Sequence, residues 1–346
     1  MRFLTRLIGG PEFHDTSLGS VIKEAASMVS RDPLLFSRIV AGKINACRKL
    51  PPLPAQRRIN NIIFEFDTGE FWGTRHMYYG SYAPLIVETM RRFLHRGDRF
   101  IDVGANIGYL SAIGAGIVGK SGEVHSFEPV PAYFQKLQKL VRLNPDYTIV
   151  AKACALGETQ GMAPIQVTTQ IGQNTMVHGL KTSDQVKETI EVPVIRLDSY
   201  LEAKGLGEVS LVKIDAQGFE IPILKGLCNY FEQAEFLPPI ICEIIPRAYP
   251  LLGYQLNELS DYMEQHGYQA RNVPDASRAV DICNLKHTED ILFMPTKAAR
   301  GAARHGQVCP QGRIDELRSG CDPGTLLGIR NKPALLMGAQ AQVRSL

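Results

Sequence analysis

The sequence predicts an α/β fold in which a mostly parallel sheet lies between helices. Short apolar segments typical of strands alternate with amphipathic segments typical of helices along most of the chain. Several of the apolar segments end on a charged residue. The first of them, "RFIDVGANIGYL", runs directly into a glycine-containing turn. Together these observations indicate a sheet whose carboxyl-terminal edge carries the chemistry.

The first elements flank a proline-rich break. Residues 1–58 are expected to form a loosely helical extension, which ends at "LPPLPAQRR". "NNIIFEFDTG" then indicates a strand that runs into a turn, and "APLIVETMRRFLHRG" indicates a helix that Gly97 stops.

The alternation is regular from residue 99 onward. Strands are expected at 99–104 and about 123–127, with a helix at about 106–118 between them. Further segments follow in order: the helix "PAYFQKLQKLVRLN", the strand "YTIVAKACAL", strand-like stretches at 162–169 and 188–196, the strand, turn and helix of "VSLVKIDAQGFEIPILKGLCNYF", the buried strand "PPIICEIIP", the helix "QLNELSDYMEQHGYQA" and the short strand "DILFMP".

Composition limits the classes of function. The formal net charge is only +3, so charge gives no argument for binding nucleic acid or an anionic membrane. The seven cysteines are dispersed without a CxxC pair, which predicts a reduced, cytoplasmic protein without a metal site. No apolar run approaches the roughly 20 residues that a membrane span requires. Residues 297–346 carry eight Lys and Arg against three Asp and Glu, and are expected to form a disordered basic tail.

The turn after the first regular strand predicts a nucleoside cofactor. Asp102 precedes Gly104, Asn106 and Gly108, and glycines let such a loop pass close to a ligand. The dinucleotide-type string "GAGIVG" lies at the end of the following helix, where no strand precedes it, so it does not predict NAD binding.

Gly-x-x-x-Gly behind an aspartate fits S-adenosylmethionine. A second acid is then expected to bind the ribose at the end of the next strand, and Glu128 in "HSFEPVP" stands there. The alternative is an ordinary tight turn followed by an exposed glutamate.

Two later strands also end on charged residues. Lys213 and Asp215 lie two residues apart in "LVKIDAQGFEIPILKG", so they share one face of a strand. Glu243 ends the apolar strand of "PPIICEIIP", and it faces the same cleft as Asp215 if the two strands are neighbours. These groups either work in catalysis or brace the sheet rim as a lysine–carboxylate pair.

These motifs together resemble the FkbM family of S-adenosylmethionine-dependent methyltransferases. The resemblance rests, in order, on "FIDVGANIGYLS", "SFEPVP", "ALGE", "VIRLDSYL", "LVKIDAQGFEIPILKG", "ICEI" and "ILFMP", and it covers about residues 78–296. It implies a class I methyltransferase fold with a seven-stranded, mostly parallel, Rossmann-like sheet in a domain at 59–296. It also implies O-methylation of a glycan, a lipid or a secondary metabolite.

By position, the resemblance assigns nine residues to S-adenosylmethionine: Asp102, Gly104, Ala105, Asn106, Gly108, Glu128, Pro129, Ala155 and Leu156. The chain departs from the family at one place, because Gln217 stands where the family commonly has a glutamate.

An acceptor hydroxyl is a poor nucleophile while protonated, so a base or a metal is expected to help. We expect Asp215 or Glu243 to be the base, with Glu220 and His178 behind them. His178 lies in the loop "QIGQNTMVHG", which either covers the acceptor or is simply exposed to solvent. The competing hypothesis is a cofactor-binding protein without transferase activity, which Gln217 alone favours. A nicotinamide oxidoreductase and a nucleic-acid methyltransferase both fit the sequence poorly.

Overall fold

A computed structural model describes residues 56–66, 72–169, 172–273 and 275–296, together with the single positions 33, 37, 40 and 41. The predicted helical extension, except for its last three residues, and the predicted basic tail therefore lie almost wholly outside the described residues. In chain order the strands are β1 (Gln56–Ile59), β2 (Ile62–Glu65), β3 (Arg99–Val103), β4 (Glu123–Phe127), β5 (Thr148–Lys152), β6 (Ala155–Leu156), β7 (Gly161–Thr168), β8 (Val186–Ile195), β9 (Leu211–Ile214), β10 (Ile240–Ile244), β11 (Tyr268–Asn272) and β12 (Glu289–Pro295). The α-helices are α1 (Trp72–Tyr78), α2 (Pro84–Phe93), α3 (Tyr109–Val118), α4 (Pro131–Leu143), α5 (Leu197–Ala203), α6 (Glu220–Lys225), α7 (Cys228–Gln233) and α8 (Leu256–Gln265).

A seven-stranded sheet with the order β11-β12-β10-β9-β3-β4-β5 forms the centre of the fold. Strands β10, β9, β3, β4 and β5 run parallel, and β12 is antiparallel to both β10 and β11. The predicted mostly parallel α/β sheet is confirmed. Since β3 and β9 are neighbours although distant in sequence, the strand order reverses at β3, and a ligand crevice is expected at their carboxyl ends.

The side chains of the central strands alternate between two apolar layers. Phe100 of β3 and Leu211 of β9 pack into the layer that contains α2, α3 and α4. Ile101 of β3 and Val212 of β9 pack into the opposite layer with α5, α6 and α8. Burial on both sides explains why these strands are almost continuously apolar in sequence.

Two sequence expectations about strands were wrong in detail. "YTIVAKACAL" forms β5 and then the separate β6, which pairs with β8 in a three-stranded sheet of order β6-β8-β7. β11 was not expected, although it pairs with β12 over five residues. Only Tyr268 of β11 is buried, so its sequence lacks the apolar alternation that marks a strand.

A two-stranded hairpin covers the outer side of the helical layer. β1 and β2 pair antiparallel, so the expected boundary at residue 58 falls inside β1. The Asn144 side chain accepts a hydrogen bond from the backbone N–H of Ile63 and donates one to its carbonyl oxygen. A Cβ on Gly116 of α3 would lie 2.7 Å from the carbonyl oxygen of Asn60, so the hairpin turn packs directly on that helix.

Among the helices that the structure describes, none combines the length and the apolar character that crossing a bilayer requires.

Candidate active site

The turn after β3 and the loop after β9 are in direct contact. Gly104 has a φ of 73°, and a Cβ there would lie only 1.9 Å from the backbone oxygen of Asp215. The backbone N–H of Asp215 in turn donates to the carbonyl oxygen of Val103. Glycine is therefore required at 104 because the two loops leave no room for a side chain.

Glu128 ties the ends of β3 and β4 together. Its two carboxylate oxygens accept hydrogen bonds from the backbone N–H groups of Asn106, at 2.8 Å, and Val130, at 2.9 Å. The side chain is 5% exposed, and this burial raises the pKa of Glu128 to about 7 although both hydrogen bonds oppose the shift. Glu128 is thus a buried carboxylate fixed at the crevice.

An open cavity of about 620 Å³ lies at the carboxyl ends of these strands. Seven expected site residues contribute to its lining: Gly104, Asn106, Glu128, Pro129, Ala155, Leu156 and Asp215. Apolar side chains complete much of the remaining wall: Val103, Phe127, Ile165, Met176, Phe219 and Ile223. The cavity is therefore polar at the two loops and apolar along its sides.

Three expected cofactor residues lie outside the cavity lining. Asp102 is fully buried, and its Oδ2 accepts a 2.6 Å hydrogen bond from Ser111. Burial raises the pKa of Asp102, and the ammonium of Lys213 opposes that shift. Ala105 is buried, and its backbone N–H donates to the carbonyl oxygen of Phe127. Gly108 is the N-cap residue of α3, directly before Tyr109. These three residues therefore support the turn and do not line the cavity.

The charged groups of β9 and β10 form a second cluster at the same edge. Lys213 Nζ lies 3.1 Å from Asp215 Oδ2. Gln217 Nε2 donates both to Asp215 Oδ1, at 3.0 Å, and to Glu243 Oε2, at 2.6 Å. β9 and β10 are neighbours as expected, and one amide bridges the carboxylates of Asp215 and Glu243. Only Asp215 of the two lines the cavity, so the expectation that both face the same cleft stays a prediction.

Lys213 keeps this cluster charged. Burial alone would raise the pKa of Asp215, but Lys213 and the Gln217 amide outweigh it and hold that pKa below its usual value. Burial alone would lower the pKa of Lys213, but Asp215 and Asp102 raise it above its ordinary value. Both members of the pair are therefore ionised at neutral pH.

The other two expected catalytic residues, like Glu243, lie outside the cavity lining. Glu220 is fully buried, and its Oε1 accepts a 2.7 Å hydrogen bond from the backbone N–H of Gly218. Burial raises the pKa of Glu220 to about 8, so this carboxyl group supports the loop beside Gln217 in its protonated form at neutral pH. His178 is exposed on the polar loop.

The polar loop that carries His178 and precedes β8 contacts the loop that carries Gln217 and follows β9. Thr175 Oγ1 donates to the carbonyl oxygen of Gln217 at 2.8 Å. Asn174 and Met176 of this segment line the cavity, and Thr175 pairs with Gln166 of β7 in an isolated antiparallel bridge. The sequence left open whether this loop covers the acceptor or is exposed to solvent, and nothing in it marked Asn174 or Met176 as lining residues.

The cavity fits S-adenosylmethionine. Asn106 Oδ1 is buried without a hydrogen-bond partner among the described residues, so it is open to a donor from a bound ligand or from water. Glu128 offers a carboxylate for ribose hydroxyls, and apolar walls such as Leu156 suit a purine ring. An open α/β sheet with this turn and this acid defines the class I methyltransferases that use S-adenosylmethionine.

Comparison with known proteins agrees with this class. The family model described as "Methyltransferase FkbM domain" matches residues 102–270. The chain is 28% identical over 164 residues to "Methyltransferase 1" of Beauveria bassiana, with 42% of this chain and 65% of that protein covered. It is 26% identical to the hexuronic acid methyltransferase AglP of Haloferax volcanii, with 40% of this chain and 54% of that protein covered. It is also 26% identical to the 31-O-demethyl-FK506 methyltransferase FkbM of Streptomyces tacrolimicus, with 51% of this chain and 74% of that protein covered.

The first two of these matches span less than two thirds of the relative's own length. Residues 102–270 belong to the FkbM methyltransferase family, and S-adenosylmethionine is the cofactor of this domain.

Proposed function

We propose that this chain is an O-methyltransferase that methylates a hydroxyl group of a glycan, a lipid or a secondary metabolite. The observation that carries the proposal is Asp215, an ionised carboxylate at the cavity that Lys213 and Gln217 fix in place. The relatives support the glycan and secondary-metabolite classes, since they include a hexuronic acid methyltransferase and a 31-O-demethyl-FK506 methyltransferase.

Asp215 is the general base in this proposal. Each of its oxygens already accepts one hydrogen bond and keeps a further lone pair for an acceptor hydroxyl. As the hydroxyl oxygen bonds to the transferred methyl carbon, its proton passes to the Asp215 carboxylate. When bound, S-adenosylmethionine supplies a methyl group on positively charged sulfur, which leaves with the bonding electrons.

The remaining residues position these groups. Glu128 and Asn106 hold the cofactor sugar and a polar cofactor group at the turn after β3, while Glu243 holds the Gln217 amide against Asp215. Alignment of nucleophile, methyl group and leaving sulfur then supplies much of the rate enhancement. Glu220 and His178 act outside direct contact with the acceptor, as a loop support and an exposed loop residue respectively.

A non-catalytic role gains no support from Gln217, because this amide bonds to both carboxylates and leaves Asp215 at the cavity. Three further expectations stay predictions: a cytoplasmic location, the absence of nucleic-acid substrates, and a domain division into 1–58, 59–296 and 297–346.

Methyl-labelled S-adenosylmethionine and a fractionated extract of the source organism test the proposal. We expect label in one acceptor fraction, and Asp215→Asn to slow transfer by about 100-fold or more while affinity for S-adenosylhomocysteine stays unchanged. Asp261→Asn, an exposed change on α8, is the matched control. Cofactor binding without label in any fraction would instead support the non-catalytic role, and an unchanged rate in Asp215→Asn would remove the base assignment.

A further inference from the structure

Thr175 joins the segment before β8 to the loop that carries Gln217. The residue is completely buried. Its hydroxyl group donates to the carbonyl oxygen of Gln217 at 2.8 Å and accepts from the backbone N–H of Val177 at 3.0 Å. A hydroxyl group suits this place, because one contact requires a donor and the other requires an acceptor.

Strand β7 holds Thr175 in place. The backbone N–H of Thr175 donates to the carbonyl oxygen of Gln166 at 3.1 Å, and the N–H of Gln166 donates back to Thr175 at 2.8 Å. The side chain of the preceding Asn174 accepts a 2.9 Å hydrogen bond from the N–H of Thr168. The hydroxyl group therefore reaches Gln217 from a segment that is anchored to a sheet.

Gln217 has an unfavourable backbone conformation. Its φ of 51° lies in the left-handed region, which residues other than glycine rarely adopt. Such a conformation persists only where the surrounding contacts impose it. Here the Thr175 hydroxyl group holds the Gln217 carbonyl oxygen, and the carboxylates of Asp215 and Glu243 hold the side-chain amide. Loss of one of these contacts should allow Gln217 to leave this conformation.

The residue after Gln217 is closely packed. A Cβ on Gly218 would lie 2.4 Å from the side chain of Ala248 and 3.3 Å from that of Val177, two residues after Thr175. The peptide between Gln217 and Gly218 thus packs against both segments, and the Thr175 hydroxyl group supplies a hydrogen bond to its oxygen.

We propose that Thr175 is a positioning residue for methyl transfer: its hydroxyl group fixes the Gln217 peptide, and Gln217 in turn fixes the carboxylate of Asp215. This inference rests on the proposed function, since it extends the set of residues that support the base. Thr175 is outside the cavity lining, so it acts through Gln217 and not on the acceptor. The two residues lie 42 positions apart in the chain, and only the fold brings them together.

The side-chain amide of Gln217 reports this positioning without any acceptor. Selective nitrogen-15 labelling of glutamine makes the amide visible by NMR in the full chain, and the signals of Gln217 are those that Gln217→Leu removes. Thr175→Val has a similar shape but no hydroxyl group. We expect it to move these signals toward those of exposed amides and to speed their exchange with water at least about tenfold, because the amide loses its fixed partners.

Two variants serve as controls for the NMR measurement. Thr175→Ser keeps the hydroxyl group and should keep the Gln217 signals in place. Thr189→Val is the same chemical change at an exposed position of β8 and should also leave them unchanged. Thr175→Ala removes the hydroxyl group without adding a branched side chain, so it keeps the test valid if Thr175→Val does not fold.

Transfer of labelled methyl groups measures the consequence for the reaction. With the acceptor fraction that the unaltered chain labels, we expect Thr175→Val to lower kcat about tenfold, because the base is less well aligned. The affinity for S-adenosylhomocysteine should stay unchanged, and Thr175→Ser should restore most of the rate.

Gln217 signals that stay unchanged in Thr175→Val would overturn the inference. Signals that move without any loss of transfer rate would also overturn it, since the contact would then not matter to the reaction. The proposed function stands in both cases. Absence of label from every fraction with the unaltered chain would instead contradict the proposed function and, with it, a role of Thr175 in transfer.

Discussion

The carboxylate of Glu128 accepts a hydrogen bond of 2.8 Å from the backbone N–H of Asn106, and this contact joins the ends of two neighbouring parallel strands. This hydrogen bond holds the loop after β3 against the Glu128 side chain after β4, and both line the cavity. One buried side chain thus links the ends of two strands at the cofactor site.

Replacement of Glu128 should weaken cofactor binding. Glu128→Ala removes the proposed ribose acceptor and leaves the Asn106 N–H without its partner, so we expect affinity for S-adenosylhomocysteine to fall at least about tenfold. Calorimetry measures this change. Glu202→Ala, an exposed change on α5, should bind as the unaltered chain does, and equal affinity in Glu128→Ala would show that Glu128 does not bind the cofactor.

The buried carboxyl group of Glu220 should make stability depend on pH. Burial raises its pKa to about 8 from an ordinary 4.5, so the folded state binds a proton that the unfolded state releases at lower pH. Its contribution to stability is then full below about pH 4.5 and is lost as pH rises through about 8.

Glu220→Gln cannot ionise and keeps an oxygen for the Gly218 N–H. Between pH 5 and pH 9, we expect the free energy of unfolding of Glu220→Gln, measured in denaturant, to rise relative to that of the unaltered chain. The free energy of unfolding of Glu202→Gln should change with pH as that of the unaltered chain does. The same pH dependence in Glu220→Gln would contradict the raised pKa of Glu220.

Restoring the glutamate that the family commonly has at 217 should create a cation site. Gln217→Glu would place a third carboxylate against Asp215 and Glu243, and mutual repulsion should lower the melting temperature. Magnesium or manganese ions should reverse that loss, since clustered carboxylates are their preferred ligands. Among the described residues, no group of three or more acidic, His or Cys side chains is arranged to hold a metal ion.

Thermal unfolding with and without the ions measures this effect. Gln138→Glu, an exposed change on α4, should show no rescue by either ion. A melting temperature of Gln217→Glu that is insensitive to both ions would count against the carboxylate triad.

Gly104 and Gly205 offer a matched pair for backbone strain. Both have positive φ, but a Cβ at 104 would clash with the Asp215 backbone whereas a Cβ at 205 would meet open space. Gly205→Ala should cost roughly 1–2 kcal/mol from strain alone. Gly104→Ala should cost clearly more and should weaken cofactor binding, as denaturant unfolding and calorimetry would show. Equal costs would mean that the close approach of the two loops is not required.

The alternating pattern made the core of the fold predictable, because strands buried on both sides are short apolar runs between amphipathic helices. It failed at β11, where only Tyr268 is buried, and at Ala155, where the chain changes sheets without a turn signal. Neither feature leaves a periodic trace in the sequence.

The motifs at strand ends were equally informative about the cavity, and Glu128 and Asp215 lie in its wall. They could not separate residues that face the cavity from those that support it. Asp102 and Glu220 are both fully buried and lie outside the cavity lining. A sequence motif does not give the direction in which a side chain points.

The β1–β2 hairpin has a practical consequence for anyone who shortens the chain. Phe64 of β2 packs edge-on against Tyr109 at the start of α3, one residue after the cofactor turn. Cutting at residue 59 would delete β1 except its last residue and would leave β2, which carries Phe64, without its hydrogen-bonded partner strand. A minimal active fragment should therefore begin upstream of Gln56, whatever the family match alone suggests.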